Sequence, residues 1–256
     1  LSDPLQIRWC DVGNYNDWTP SVTNQAGGYH IQTGSVIRRG FQGPSQQYWW
    51  TDIDLYVAQY TGPPFVYGFS KIGTGCGLIA SKAVAQLGST VYWMSQKQFF
   101  MTSGSNAPQP IPCSVWDYIF QNLDWNNVDN VEAAPNSQFN EINWFFPSVN
   151  SPNGENDAYV CYNVLYNEWD YGYLSRTAWI DQSVLGPPIG AGTDNYLYQH
   201  EIGNDAASGT QTTAMQSAMQ TGFFSISEGD NIMFVDQIWP DMKWGTYSGN
   251  QNATVY

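Results

Sequence analysis

"VYWMSQKQFFMTSG", residues 91–104, decides how this chain is read. Six of its fourteen residues are aromatic or Met, one is charged, and it closes on Gly. The runs "STVYWMS" and "QKQFFMTS" predict two strands folded back as a hairpin around Gln96-Lys97. Looser versions recur as "INWFFPSV" (142–149) and "DNYLYQHEIG" (194–203). Short aromatic strands punctuated by glycine are therefore a repeated unit.

Bulk composition agrees. Aromatic residues make up 16% of the 256 residues and charged residues only 12%, about half the usual share. Asn, Gln, Ser, Thr and Gly take their place, a mixture poor in helix formers and rich in strand and turn formers. The net charge is -14, with eight Lys and Arg together. Such a surface repels a polyanion, which excludes tight, sequence-independent nucleic-acid binding. It serves solubility, or lets DNA pass without sticking. Cys10, Cys76, Cys113 and Cys161 form no CxxC pair, and His30 and His200 are the two histidines. A zinc site does not fit these spacings, and reduced thiols are expected. The first residues show no charged-then-apolar signal pattern, and no apolar run reaches eighteen residues, so membrane insertion is not expected. A chain starting at Leu1 is expected to be processed, trimmed or part of a longer protein.

Outward from the hairpin, residues 1–34 are loop-rich. "SVIRRGFQ" and "QQYWWTDIDLYVAQY" read as strands; in the latter Ile53, Leu55 and Val57 alternate with Asp52, Asp54 and Tyr56, predicting one inward face. "PPFVYGFSKIG" (63–73) is another strand, and apolar 77–80 a further one before the hairpin. "CSVWDYIFQNL" (113–123) predicts a short helix with Val115, Tyr118 and Ile119 on one side. "QFNEINWFFPSV" pairs with "NDAYVCYNVLYNEWDYG", whose apolar residues on both faces predict a strand covered on both sides. "YLSRTAWIDQS" and "DNYLYQHEIG" add strands. Residues 206–222 read as a linker or short helix, with Met215 and Met219 four apart. Residues 223–256 read as a β-hairpin around Glu228-Gly229-Asp230.

Many short strands with turns every eight to twelve residues predict an all-β sandwich, barrel or propeller. Trp93 and Trp144 sit in similar contexts 51 residues apart, a spacing that fits one four-stranded propeller blade. The expectation is a β-propeller, whole or partial, over residues 1–205.

Particular phrases point the same way. "IRWCDVGNYNDWTPSVTNQAGG" (7–28), "YWWTDIDLYVAQYTGPPFVYGFSKIG" (48–73), "CGLIASKAVAQLGSTVYWMSQKQFF" (76–100), "PCSVWDYIFQNL" (112–123), "FNEINWFFPS" (139–148) and "EWDYGYLSRTAW" (168–179) follow one another in order. "FSISEGDNIMFVDQIWPDM" (224–242) continues them. Together they resemble the tail hub or nozzle proteins of short-tailed bacteriophages, also called packaged-DNA stabilisation proteins. The resemblance implies a β-propeller set in a longer chain, with residues 223–256 leaving it toward a second domain. It implies a structural, non-enzymatic virion protein at the tail tip, assembled in the host bacterial cytoplasm. The implied partners are further copies in a ring, portal or adaptor ring proteins, tail fibre or spike proteins, and genomic DNA passing without tight binding.

Several groups have residue types that could carry chemistry. Asp52 and Asp54 share a strand face, as paired glycosidase carboxylates do, but read better as a solvated or partner-facing edge. Asp124, Asp129 and Glu132 evoke a calcium loop, yet Val128 falls where an oxygen ligand belongs and the central Gly is missing. "GTGCG" (73–77) lacks the Lys and helix of a phosphate-binding loop. His200-Glu201 reads as a structural or surface pair, and the sequon Asn252-Ala253-Thr254 as an accident. Tyr48-Trp49-Trp50 and Trp144-Phe145-Phe146 read as packing between blades, although they could stack on sugars. No catalytic, cofactor-binding or metal-ligating residue is assigned. The alternative function is a carbohydrate-binding or carbohydrate-cleaving receptor-recognition propeller of a phage tail.

Overall fold

The computed structural model describes residues 3–203, 205–208, 211–214, 229, 234–237 and 239. The chain divides into two units, Leu1–Ala214 and Met215–Tyr256, and the elements described here belong to the first. The protein is all-β. A leading hairpin pairs β1 (Gln6–Trp9) with β2 (Gly27–His30). The first sheet follows as β3 (Ile37–Gln42), β4 (Gln47–Thr51), β5 (Asp54–Gly62) and β6 (Val66–Thr74). The second holds β7 (Val84–Leu87), β8 (Thr90–Met94), β9 (Phe99–Ser103) and β10 (Gln109–Ile111). After α1 (Trp116–Asn122) and a 3-10 turn, the third holds β11 (Glu132–Asn136), β12 (Glu141–Phe146), β13 (Ala158–Asn163) and β14 (Glu168–Tyr173). β15 (Ala178–Ile180), β16 (Ile189–Ala191) and β17 (Leu197–Gln199) form a fourth, three-stranded sheet. Each is an antiparallel meander in which chain neighbours are sheet neighbours. The described sheets do not close into a barrel or a full wheel.

The strands are short because turn residues interrupt them. Asn140 and Asn167 take left-handed conformations, φ 57° and 55°, in the β11–β12 and β13–β14 turns, where Asn is tolerated better than most residues.

Packing follows chain order. In the second sheet Trp93 lies opposite Phe100 and Met94 opposite Phe99, so the two pairs point to opposite faces. Trp93 meets Trp50 of the first sheet at 5.3 Å, while Phe99 meets Trp144 of the third at 4.8 Å. The second sheet is therefore buried on both faces. Within the first sheet, Tyr48, Trp50, Leu55 and Val57 join this same core. Its other face, with Trp49, Tyr56 and Phe69, packs on Ile7, Tyr29 and Ile31 of the leading segment. Phe145 on the far face of the third sheet meets Trp179 of the fourth at 5.9 Å.

Burying both faces explains the Trp-centred triplets on each second strand: Tyr48-Trp49-Trp50, Tyr92-Trp93-Met94 and Asn143-Trp144-Phe145. The central Trp points back toward the preceding element and its successor points forward. Trp93 and Trp144 also donate their indole N–H to the Cys76 and Ala83 carbonyls, at 2.8 and 3.1 Å. Each fully buried indole removes roughly 200 Å² from water, about 5 kcal/mol at ~25 cal/mol per Å². Gly40 lies opposite Trp49 and leaves room for it; a Cβ there would sit 2.8 Å from the ring.

Three expectations need correction. Residues 77–80 are not a strand: buried between two sheets, their amides reach Ile53, Thr51 and Met94 carbonyls. β5 does not have a single inward face, because Asp54 and Tyr56 are buried along with Leu55 and Val57, whereas Ile53 is exposed. Within the expected linker or helix at 206–222, the described residues 206–208 and 211–214 are strand instead, β18 (Asp205–Ser208) pairing with β19 (Gln211–Ala214). Most of the expected hairpin at 223–256 lies outside the described residues, and the described residues 234–237 and 239 carry no strand; a helix around Met215 and Met219 also lies outside them. The hairpin at 91–103 and the helix within 113–123 are present.

Candidate functional site

Among the described residues, a cleft with a concentration of charge lies where the third sheet gives way to the fourth. After β14 the chain turns through Leu174 and Ser175 to Arg176, and the β16–β17 turn brings Gly192, Thr193 and Asp194 opposite. The cleft, of about 430 Å³, is also lined by Asp157, Tyr173 and Tyr198.

Arg176 is its anchor and is 7% exposed. Its Nε donates to His200 Nε2 at 2.8 Å and its Nη1 to the Ser175 carbonyl at 2.7 Å. The guanidinium lies 4.3 Å from the centre of the Tyr198 ring, a cation–π contact. Gly190 permits this approach: a Cβ would sit 2.7 Å from Arg176 Cδ. The Arg176 carbonyl accepts from Asn156 Nδ2 at 3.1 Å. Burial lowers the pKa of Arg176. Burial first, and the Arg176 charge second, hold His200 down at about 4, so at neutral pH His200 is an uncharged acceptor. Tyr198 donates its O–H to Asp194 and holds that carboxyl below its ordinary range. Asp157 is committed to the amide and hydroxyl of Ser148, at 2.7 and 2.8 Å. Tyr173 shares a hydrogen bond with Tyr118 at 3.1 Å, and this bond is the first cause that pushes the Tyr118 phenol up to about 12.

The groups singled out in the sequence are placed apart from one another. Asp52 and Asp54 are not paired for catalysis: Asp54 is buried, Asp52 stays partly exposed, and both clamp the β2–β3 connection. Asp52 accepts from the Ser35 amide and hydroxyl, at 2.8 and 2.7 Å. Its slight burial works against the charge, but these bonds outweigh it and the pKa falls. Asp54 is buried, accepts from Thr33 and lies 3.3 Å from Lys71 Nζ. The expected calcium-loop residues diverge: Asp124 is tied to Asn126 and Asn127, Asp129 pairs with Arg38, and Glu132 with Lys82. Among the described residues no group of three His, Cys, Asp or Glu could hold a metal. Residues 73–77 form the crossing between sheets; Gly77 lies so close to Asp52 that a Cβ would fall 2.2 Å from its carbonyl oxygen.

His200 and Glu201 belong to the junction of the third and fourth sheets. Glu201 accepts from Asn136 Nδ2 at 3.0 Å. Tyr48, Trp50, Trp144, Phe145 and Phe146 are buried and half-buried Trp49 packs against Ile7, Ile31 and Tyr56, so these clusters offer no sugar platform. The sequon at Asn252 lies outside the described residues. All four cysteines are free, and burial raises Cys76 to about 12 and Cys113 to about 11. Among the described residues no helix is long and apolar enough to cross a membrane.

Sequence reasoning missed Arg176. "LSRTAW" carries no motif, and its partners at 190, 198 and 200 arrive only through the fourth sheet's meander. The faint signal available was a lone Arg within a strand-rich, cation-poor segment. No protein-family model and no curated protein matches the chain.

Proposed function

We propose that this chain is a structural virion protein, a ring-forming hub or nozzle subunit of a short phage tail that retains packaged DNA until ejection. Its sheets act as blades of a β-propeller that is incomplete within residues 3–214. The observation that carries this reading is the succession of meander sheets stacked face to face in chain order, with the indoles of Trp93 and Trp144 bonded to main-chain carbonyls of the segment joining the first sheet to the second. That architecture suits a rigid wall. The ordered phrases resembling tail hub and nozzle proteins add the tail tip, further copies, portal or adaptor proteins and fibre or spike proteins as its setting.

Charge supplies the mechanism. Of eight Lys and Arg, Arg38, Lys71 and Lys82 are engaged by carboxylates. Few cations remain to neutralise phosphates, so DNA slides along a channel wall with little counterion release and little retention. The test is fluorescence anisotropy of a labelled duplex titrated with the purified protein at about 150 mM salt, where surface charges are screened beyond roughly 8 Å. The expected result is no saturation in the micromolar range. Submicromolar binding would overturn the channel-wall reading.

A carbohydrate-recognition role is the second reading. The Arg176 cleft favours it, whereas the buried aromatic triplets do not.

A further inference from the structure

Arg176 is a buried cation in a chain of net charge -14, yet among the described residues no carboxylate lies within 4.0 Å of it. A guanidinium removed from water is ordinarily matched by a carboxylate in direct contact, because desolvation without a close counter-charge is unfavourable; here Asp194 acts on Arg176 only from beyond 4.0 Å. Its recorded acceptors, His200 Nε2 and the Ser175 carbonyl, are neutral and engage Nε and Nη1. Among the described residues Nη2 has no protein acceptor. The group is nevertheless held in place by the Tyr198 ring and the space left by Gly190. A fixed guanidinium with an edge to spare loses little freedom when it captures a planar anion.

We propose that this cleft binds an acidic sugar, a pyranose carrying one carboxylate, with Arg176 as the carboxylate's partner. The rest of the lining selects the class of ligand. Asp194 and Thr193 are exposed at the rim, where Asp194 accepts a hydrogen bond from a sugar hydroxyl and Thr193 can donate or accept one. Tyr173, exposed beside the cleft, supplies ring surface against which a pyranose packs. Asp157 and Asp194 add negative charge beside the cation, which disfavours a dianion such as phosphate and leaves a polyhydroxylated monoanion as the better match. A volume near 430 Å³ lies in the ordinary range for small-molecule sites. This inference is independent of the architectural role above: a tail protein can be a wall and carry such a site.

The experiment is saturation-transfer NMR and calorimetry on the full chain with sodium glucuronate, against glucose, acetate and inorganic phosphate. Glucuronate is expected to bind at least about tenfold more tightly than glucose, the equivalent of one charge-assisted hydrogen-bonded pair. It should also exceed acetate and phosphate. Arg176→Gln should abolish the preference over glucose. Because that substitution alters a buried side chain, the exposed Thr193→Trp serves as a second variant; it should block glucuronate while leaving the far-UV spectrum and melting temperature unchanged. Equal binding of glucose, equal binding of acetate or phosphate, or no glucuronate binding up to about 20 mM would each overturn the assignment. So would glucuronate binding that survives Thr193→Trp.

Discussion

Replacing each of two buried indoles by phenyl separates the contribution of their hydrogen bonds from that of their volume. Trp93 and Trp144 are both fully buried. Trp→Phe leaves a void of roughly 40 Å³, which at ~24 cal/mol per Å³ costs about 1 kcal/mol at either position. The hydrogen bonds differ. The Ala83 carbonyl that accepts from Trp144 also accepts from the Met94 amide at 3.1 Å. Trp144→Phe therefore forfeits one net hydrogen bond, about 1 kcal/mol, for a total of about 2 kcal/mol. Trp93 is the donor to the carbonyl of Cys76, a residue 1% exposed. Trp93→Phe strands that carbonyl away from water, adding about 2 kcal/mol for a total near 3 kcal/mol. The assay is urea unfolding followed by far-UV circular dichroism, with Trp18→Phe as the control. Trp18 is 45% exposed, its indole N–H donates to the Tyr15 carbonyl three residues away, and the Arg8 contact to its main-chain carbonyl survives the substitution, so its change should stay within about 0.5 kcal/mol. If both core variants fall in the control's range, the indoles are not inter-sheet struts. If Trp144→Phe costs more than Trp93→Phe, the carbonyl argument is wrong.

Two further perturbations probe other links. His200 has its folded pKa at about 4, below the ordinary 6.5, so between those values the unfolded chain binds more protons. Stability should therefore hold above pH 6.5 and fall as pH drops toward 4, by about 1–2 kcal/mol once the half-exposed ring is discounted for screening. His200→Gln keeps an acceptor for Arg176 and should flatten that part of the pH profile; identical profiles for both proteins would refute the coupling. Gly77→Ala forces a Cβ to within 2.2 Å of the Asp52 carbonyl oxygen, a backbone clash that side-chain rotation cannot relieve. Little soluble, folded protein is expected on expression, and a near-normal urea midpoint would show that the crossing between the first and second sheets is looser than described.

Where local chemistry suffices, the sequence was legible. The 91–103 hairpin follows from apolar runs flanking a polar pair, and α1 from the spacing of Tyr118 and Ile119. The strand at 158–163, apolar on both faces, is covered on both. Where neighbours decide, legibility ended. The alternation around Ile53 and Asp54 suggested one wet face, but the leading hairpin covers Tyr56 and the β2–β3 connection takes both carboxylates. Apolar 77–80 has the composition of a strand and spends its amides on two different sheets instead. At 205–214 small polar residues carry no period, so a hairpin there was invisible. The cleft was hidden for the same reason: Asp157, Arg176, Asp194 and Tyr198 are brought together by two successive meanders, and no spacing along the chain records that.

The central claim is that these sheets are radial blades of a rigid wheel within a ring of subunits. Electron cryomicroscopy of the purified full-length assembly tests it most directly. The account predicts ring particles around an axial channel, each subunit with its four-stranded sheets fanned about a local axis in chain order. Isolated monomers whose sheets lie as two flat facing layers would contradict it.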